Sequence, residues 1–375
     1  MNADVSRFVA RDMAPARSPP VAAAGLWRWL RHNLFQNAAS TFLTLTGLGF
    51  IALLAPPLWR FLVSDAVWHG GPSACVAASG ACWTFIAQKL PFLTYGSYPE
   101  AQRWRVDVVV LAGFALIVWL LSPRLAHRNL AAGLFFVAFP VAALVLLHGA
   151  PALGLATIDT SLWGGIFVTL LLGLSGIVFS LPLGTALALA RRSKLPLIRF
   201  AAALFIETVR GVPFITVLFL ANFMLPLFVP VTWEPDRLLR PMIGTALFGA
   251  AYMAEVVRGG LQALPRGQTE AARALGLSPW ASLRRVVLPQ ALTIVIPGIV
   301  NSFIGLFKDT TLVSIVGIFD FLGAAEAARA DPKWQGPSIA TTGYIFAALF
   351  YFCCCYAMSR WSQGLERRLR HGPET

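Results

Sequence analysis

Apolar residues in this chain come in long blocks, without the alternation of a half-buried strand or the one-faced stripe of a soluble helix. A membrane-spanning helix needs about 20 mostly apolar residues. Eight segments meet or approach that length: Ala39 to Trp59, Val106 to Ser122, Leu130 to Leu147, Leu162 to Ala190, a stretch within Leu195 to Val229, Pro241 to Val257, Ala291 to Val316 and Ile339 to Met358. The weak ten-residue pattern of a barrel is missing, so helices are the spanning element. The expected fold is an all-α polytopic membrane protein with about eight transmembrane helices.

Composition agrees. Of 375 residues, 57% are hydrophobic and 13% charged, against about 25% charged in a soluble domain. Mean hydropathy is +0.68. An ordinary soluble domain and a disordered chain are both excluded. The net charge of +13 could suggest a nucleic-acid partner, but its placement argues otherwise. With the N-terminus inside, twenty of the thirty Lys and Arg residues fall on inner segments and eight on outer ones, which is the bias of cytoplasmic loops. The inner set includes Arg7, Arg11 and Arg17 in the first arm, Arg124 and Arg128, then Arg191, Arg192, Lys194 and Arg199. Both termini are therefore expected in the cytoplasm, with lipid and not nucleic acid around the chain. Trp27, Trp29, Trp104 and Trp361 suit interface anchoring.

This pattern divides the chain into an N-terminal arm (1–38), three helices with a long outer loop (39–160, loop 64–105), a five-helix region (161–360) with an inner loop at 258–289, and a tail (361–375). The outer loop carries Cys75 and Cys82 around a Gly- and Ser-containing turn. A disulfide between them is expected if that side is oxidising. Cys353, Cys354 and Cys355 sit in an apolar run with no His nearby, and no metal site is expected there or elsewhere. Neither HExxH nor GxSxG occurs, so an embedded enzyme has no support.

The stretch Leu264 to Leu292 reads as two short helices joined by a tight turn. Pro265 suits a first turn, Thr269 to Leu275 favours helix, Gly276 suits a left-handed C′ position, and Ser278-Pro279 suits an N-cap followed by N1. Glu270-Ala271-Ala272, then Gly276, then Val286, Leu288 and Pro289 resembles the EAA loop of ABC-importer permeases, with Val where Ile is usual. Phe205 to Pro213, Ala251 to Glu255 with Arg258-Gly259-Gly260, and Lys308 to Ser314 are similar to the polar amino-acid branch of that family. The extra first half resembles the longer general L-amino-acid permeases.

The resemblance implies a five-helix type I importer core over 161–360. It implies a coupling role for Glu270, Ala271, Ala272, Gly276, Leu288 and Pro289 against a dimer of cytoplasmic ATPase subunits. A second, related permease and a periplasmic amino-acid-binding protein would complete the complex in a bacterial inner membrane. No cofactor is expected on this chain, ATP and Mg2+ being held by the ATPase. In agreement, none of the four lysines follows a Gly, so a GxxxxGK[ST] loop is absent.

Charge at membrane depth is costly and marks candidates for the substrate path or a gate. Glu207 with Arg210, and Glu255 with Arg258, are spaced i, i+3 and can neutralise each other along one helix face. The alternative for both pairs is a structural ion pair. Lys308 and Asp309 lie deeper, about 22 Å past Thr293 at about 1.5 Å per residue. Adjacent residues diverge by about 100° on a helix, so at least one of them is expected to face the path, a gate or the partner permease. The competing function is a self-sufficient ion-coupled secondary transporter, against which stand the EAA-like loop and the absence of an internal repeat.

Overall fold

A computed structural model describes residues 25–122, 125–230 and 235–370. Arg7, Arg11 and Arg17 of the arm, Arg124, and tail residues 371–375 lie outside the described residues.

The chain forms two compact units, residues up to Ala66 and residues from Val67 onward. The first holds the helices Leu26–Leu34 and Ala38–Trp59. Asn37 caps the second by accepting a hydrogen bond from the Ser40 N–H at 2.8 Å. That helix is apolar on all sides and none of its residues is buried, as expected of a helix whose surroundings are lipid.

Six helices among the described residues are long and apolar enough to cross a membrane: Ala38–Ser64, Glu100–Leu121, Arg128–His148, Gly165–Arg191, Ile296–Val316 and Ile339–Arg367. A seventh arises if Pro196–Gly211 and Phe214–Phe228 are taken as one span bent by 110°. The expected continuous fifth span is therefore broken. Pro213 lacks an N–H to continue the first helix and holds Val212 in extended backbone. The expected sixth span lies inside the 25-residue helix Leu239–Ala263, which falls outside those apolar helices and carries Arg240, Glu255 and Arg258. The expected seventh is interrupted at Val295, one residue before Ile296-Pro297.

The centre of the second unit is the contact between Gly165–Arg191 and Leu239–Ala263. Small residues bring the two backbones together. A Cβ at Gly184 would stand 2.6 Å from the Met253 Cβ, and one at Gly249 would stand 2.9 Å from the Ser180 Cβ. Association of helices in lipid rests on such close packing. Leu306 of the helix Ile296–Asp309 fills the remaining space beside Gly176 and Gly249.

The long loop after the first helices is ordered and packs on the last two. Its helix Trp83–Tyr95 lays Phe85 edge-on against Trp334 at 5.4 Å. The Cys82 N–H donates to the Thr342 Oγ1 at 3.0 Å, and the Lys89 Nζ meets the Asp331 Oδ2 at 2.5 Å. Cys75 and Cys82 are joined by a disulfide, with Cα atoms 5.8 Å apart. Lys89 holds the Asp331 carboxyl below the usual carboxylate range, chiefly through that hydrogen bond.

Candidate functional site

Two features stand out: the loop 258–289 and a charge cluster at the nearby helix ends.

In the loop, helix Arg266–Ala274 ends with two backbone hydrogen bonds. The Leu277 N–H donates to the Ala272 carbonyl at 3.1 Å, and the Gly276 N–H donates to the Arg273 carbonyl at 2.9 Å. This is the Schellman arrangement, and it requires a left-handed residue at C′. Gly276 supplies it with φ +76°. Ser278 then caps helix Pro279–Ser282 by accepting from the Ala281 N–H at 3.3 Å. Pro265 stands one place earlier than expected, at the N-cap of Arg266–Ala274.

Glu270 is exposed but sits at the fifth helical position, past the first turn where a helix dipole favours an acid. Ala271 is exposed, whereas Ala272 is buried and packs inward, so only the first offers a small surface to a partner. Leu288 begins the next helix, with Pro289 at its start. What the motif did not point to is the apolar tip. Leu275 is 81% and Trp280 66% exposed on either side of the Gly276 turn. Arg273, Arg284 and Arg285 of the same loop are also exposed.

The charge cluster joins three helices. Glu255 receives two bonds from Arg258, from Nε at 2.9 Å and Nη2 at 2.6 Å. It also meets the Arg191 Nη1 at 2.8 Å, and its Oε2 lies 3.8 Å from the Arg210 Nη1. The Arg191 Nη2 reaches the Glu207 Oε1 at 2.7 Å. Glu207 therefore pairs with Arg191 and not with Arg210, which corrects the intrahelical pairing expected from i, i+3 spacing. Arg210 instead lies over the Tyr252 ring, 5.4 Å from its centroid. Arg191 closes helix Gly165–Arg191, and the sequence marked it only as an inner-side charge. No local spacing signals its role, because both its partners lie on other helices.

Lys308 and Asp309 stand apart from this cluster at the end of Ile296–Asp309, Lys308 exposed and Asp309 half-buried. Among the described residues no group of three His, Cys, Asp or Glu side chains is placed to hold a metal ion.

A family described as "Binding-protein-dependent transport system inner membrane component" matches residues 180–371. The inner membrane amino-acid ABC transporter permease protein YhdY of Escherichia coli K12 is 44% identical over 344 residues, covering 92% of this chain and 93% of the relative. The chain belongs to the amino-acid ABC transporter permeases. The glutamate/glutamine/aspartate/asparagine transport system permease protein BztC of Rhodobacter capsulatus is 39% identical over 430 residues, covering 97% of this chain and 98% of the relative. A solved amino-acid ABC transporter, crystallised with histidines, aligns with 54% of this permease and 92% of its own chain at 29% identity and a TM-score of 0.48. Both near-full-length relatives also match the region ahead of residue 180, so the similarity extends over the first half of the chain. The permease is a multi-pass inner-membrane subunit of a binding-protein-dependent system and lacks an ATPase domain.

Proposed function

We propose that this permease carries polar L-amino acids inward, with glutamate, glutamine, aspartate and asparagine as the substrate range. That range is the one named for the BztC relative. Its partners are a second, related permease, a pair of ATPase subunits that hold ATP and Mg2+, and a periplasmic binding protein that delivers the amino acid. The chain itself binds no cofactor. Both termini and the loop 258–289 face the cytoplasm, and the disulfide-bearing loop 64–105 faces the periplasm. The accessory helices occupy 39–160 and the five-helix core 161–360.

The observation that carries this reading is the Schellman turn at Gly276. It fixes two short helices at an angle and leaves Leu275 and Trp280 bare at the tip. Exposed large apolar residues on a turn held by backbone hydrogen bonds suit insertion into a partner's pocket. Glu270, Ala271 and Gly276 shape that contact, while Ala272, Leu288 and Pro289 brace it from within. The cluster Glu207, Arg210, Glu255 and Arg258, tied together by Arg191, forms the inner end of the path. There a change of helix position requires exchange of ion pairs. The test is reconstitution of the complex in proteoliposomes with ATP inside. Accumulation of labelled glutamate or glutamine that needs both the binding protein and ATP is the expected result. Uptake by this chain alone, driven by an ion gradient, would overturn it.

A further inference from the structure

Helix Ile296–Asp309 turns its last residues in three different directions. Leu306 lies beside Gly176 and Gly249, and Phe307 lies over Gly173 and faces the rings of Phe350 and Tyr351. Successive helical residues diverge by about 100°, so Lys308 leaves the packed side. It is exposed, and among the described residues no carboxylate oxygen comes within 4.0 Å of its ammonium. Two turns earlier on the same face Asn301 is also exposed. Between them a Cβ built on Gly305 meets nothing within 4 Å.

This strip is polar and bare where a lipid-facing strip carries large apolar side chains. An ammonium in hydrocarbon is costly. The strip therefore suits polar surroundings and not lipid. The other ionisable groups of the core sort differently. Glu207 and Glu255 each have a guanidinium within 4 Å, so the Arg191 cluster satisfies its own carboxylates. Lys308 has no salt bridge within 4.0 Å, and its neighbour Asp309 is half-buried about 100° round the helix, off the exposed strip. A zwitterionic amino acid brings its own counter-charge. An acidic amino acid brings one negative charge more, and that is the complement of this face.

We propose that Lys308 determines passage of acidic substrates: its ammonium accompanies the side-chain carboxylate of glutamate or aspartate through the permease, while the amides pass without needing it. This rests on the amino-acid import reading above and names the residue that separates two members of its substrate range.

The test is uptake of labelled glutamate and glutamine, measured separately, by the complete complex in proteoliposomes. Wild type, Lys308→Gln and Lys308→Arg are compared with the same binding protein. Because the binding protein is constant, a change in the glutamate-to-glutamine ratio belongs to the permease. Lys308→Gln is expected to lower that ratio about tenfold, the equivalent of one charge-assisted hydrogen bond. Lys308→Arg keeps the charge and is expected to keep the ratio. An unchanged ratio in Lys308→Gln overturns the proposal, whether both rates hold or both fall together. A joint fall marks Lys308 as an ion-pair partner of the second permease. Uptake of neither amino acid by the wild-type complex removes the import reading itself, and this proposal with it.

Discussion

Arg191 and Glu255 meet at 2.8 Å across the helices Gly165–Arg191 and Leu239–Ala263, and both side chains are mostly buried, at 26% and 16% exposure. The same guanidinium reaches Glu207, whose side chain is 64% exposed. The two bonds therefore differ in worth. An exposed pair contributes about 0–1 kcal/mol, whereas removing one partner of a buried pair costs about 3–5 kcal/mol. Arg191→Met is expected to lower stability by about 2 kcal/mol, the upper part being softened because Glu255 keeps Arg258. In double-mutant cycles read by thermal unfolding in nanodiscs, the Arg191–Glu255 coupling is expected to exceed the Arg191–Glu207 coupling. Equal couplings would show that burial does not set their rank.

Much of this architecture is legible from local pattern, and the cluster is not. Apolar runs mark where helices form because a lipid-embedded helix needs no alternation. The turn at Gly276 is legible because every atom that closes it lies within six residues. Arg191 is 64 residues from Glu255, and nothing in spacing joins them. The i, i+3 rule that links Glu255 to Arg258 misleads for Glu207 and Arg210, since a nearby guanidinium on another helix competes for the same carboxylate. The break at Val212-Pro213 has a readable cause, but its 110° angle depends on tertiary packing.

The disulfide between Cys75 and Cys82 closes a short loop whose Cys82 N–H is bonded to Thr342. Denatured protein is expected to bind two more alkylating groups after reduction than before, beyond those taken by Cys353, Cys354 and Cys355. A loop of this size restrains the unfolded chain by about 2–3 kcal/mol, so Cys75→Ser/Cys82→Ser is expected to unfold at lower temperature. Equal alkylation before and after reduction would show both thiols to be free.

Lys89 holds the Asp331 carboxyl below its ordinary range, and this sets a sign for pH dependence. A carboxyl with a lowered folded-state pKa stabilises the fold above its unfolded value of about 3.9. That contribution fades as pH falls from there through the folded value. Unfolding midpoints measured from pH 6 down to pH 2.5 are expected to drop less steeply in Asp331→Asn than in wild type, with the two curves parallel above pH 6. Parallel curves throughout would show the Lys89–Asp331 contact to be without weight in solution.

Trp280 and Gly276 test different parts of the loop 258–289. Trp280 is 66% exposed, so Trp280→Ala removes little that the isolated permease uses. A partner that buries this ring loses an aromatic anchor, and such anchors cost about 2 kcal/mol or more on truncation. ATPase binding is then expected to weaken by about thirtyfold while the permease keeps its melting temperature. Gly276→Ala acts through the backbone. A Cβ at φ +76° costs about 1 kcal/mol, and no neighbour lies within 4 Å to clash with it. Its effect is a loosened angle between the two short helices. Gly276→Ala is expected to lower binding-protein-stimulated ATP hydrolysis more than it lowers ATPase binding, the reverse of the balance expected for Trp280→Ala. Both quantities are read on one preparation in nanodiscs, by co-purification and by phosphate release. Wild-type binding and wild-type stimulation in both variants would remove the loop from the path of force, leaving the Gly276 turn as a purely structural feature.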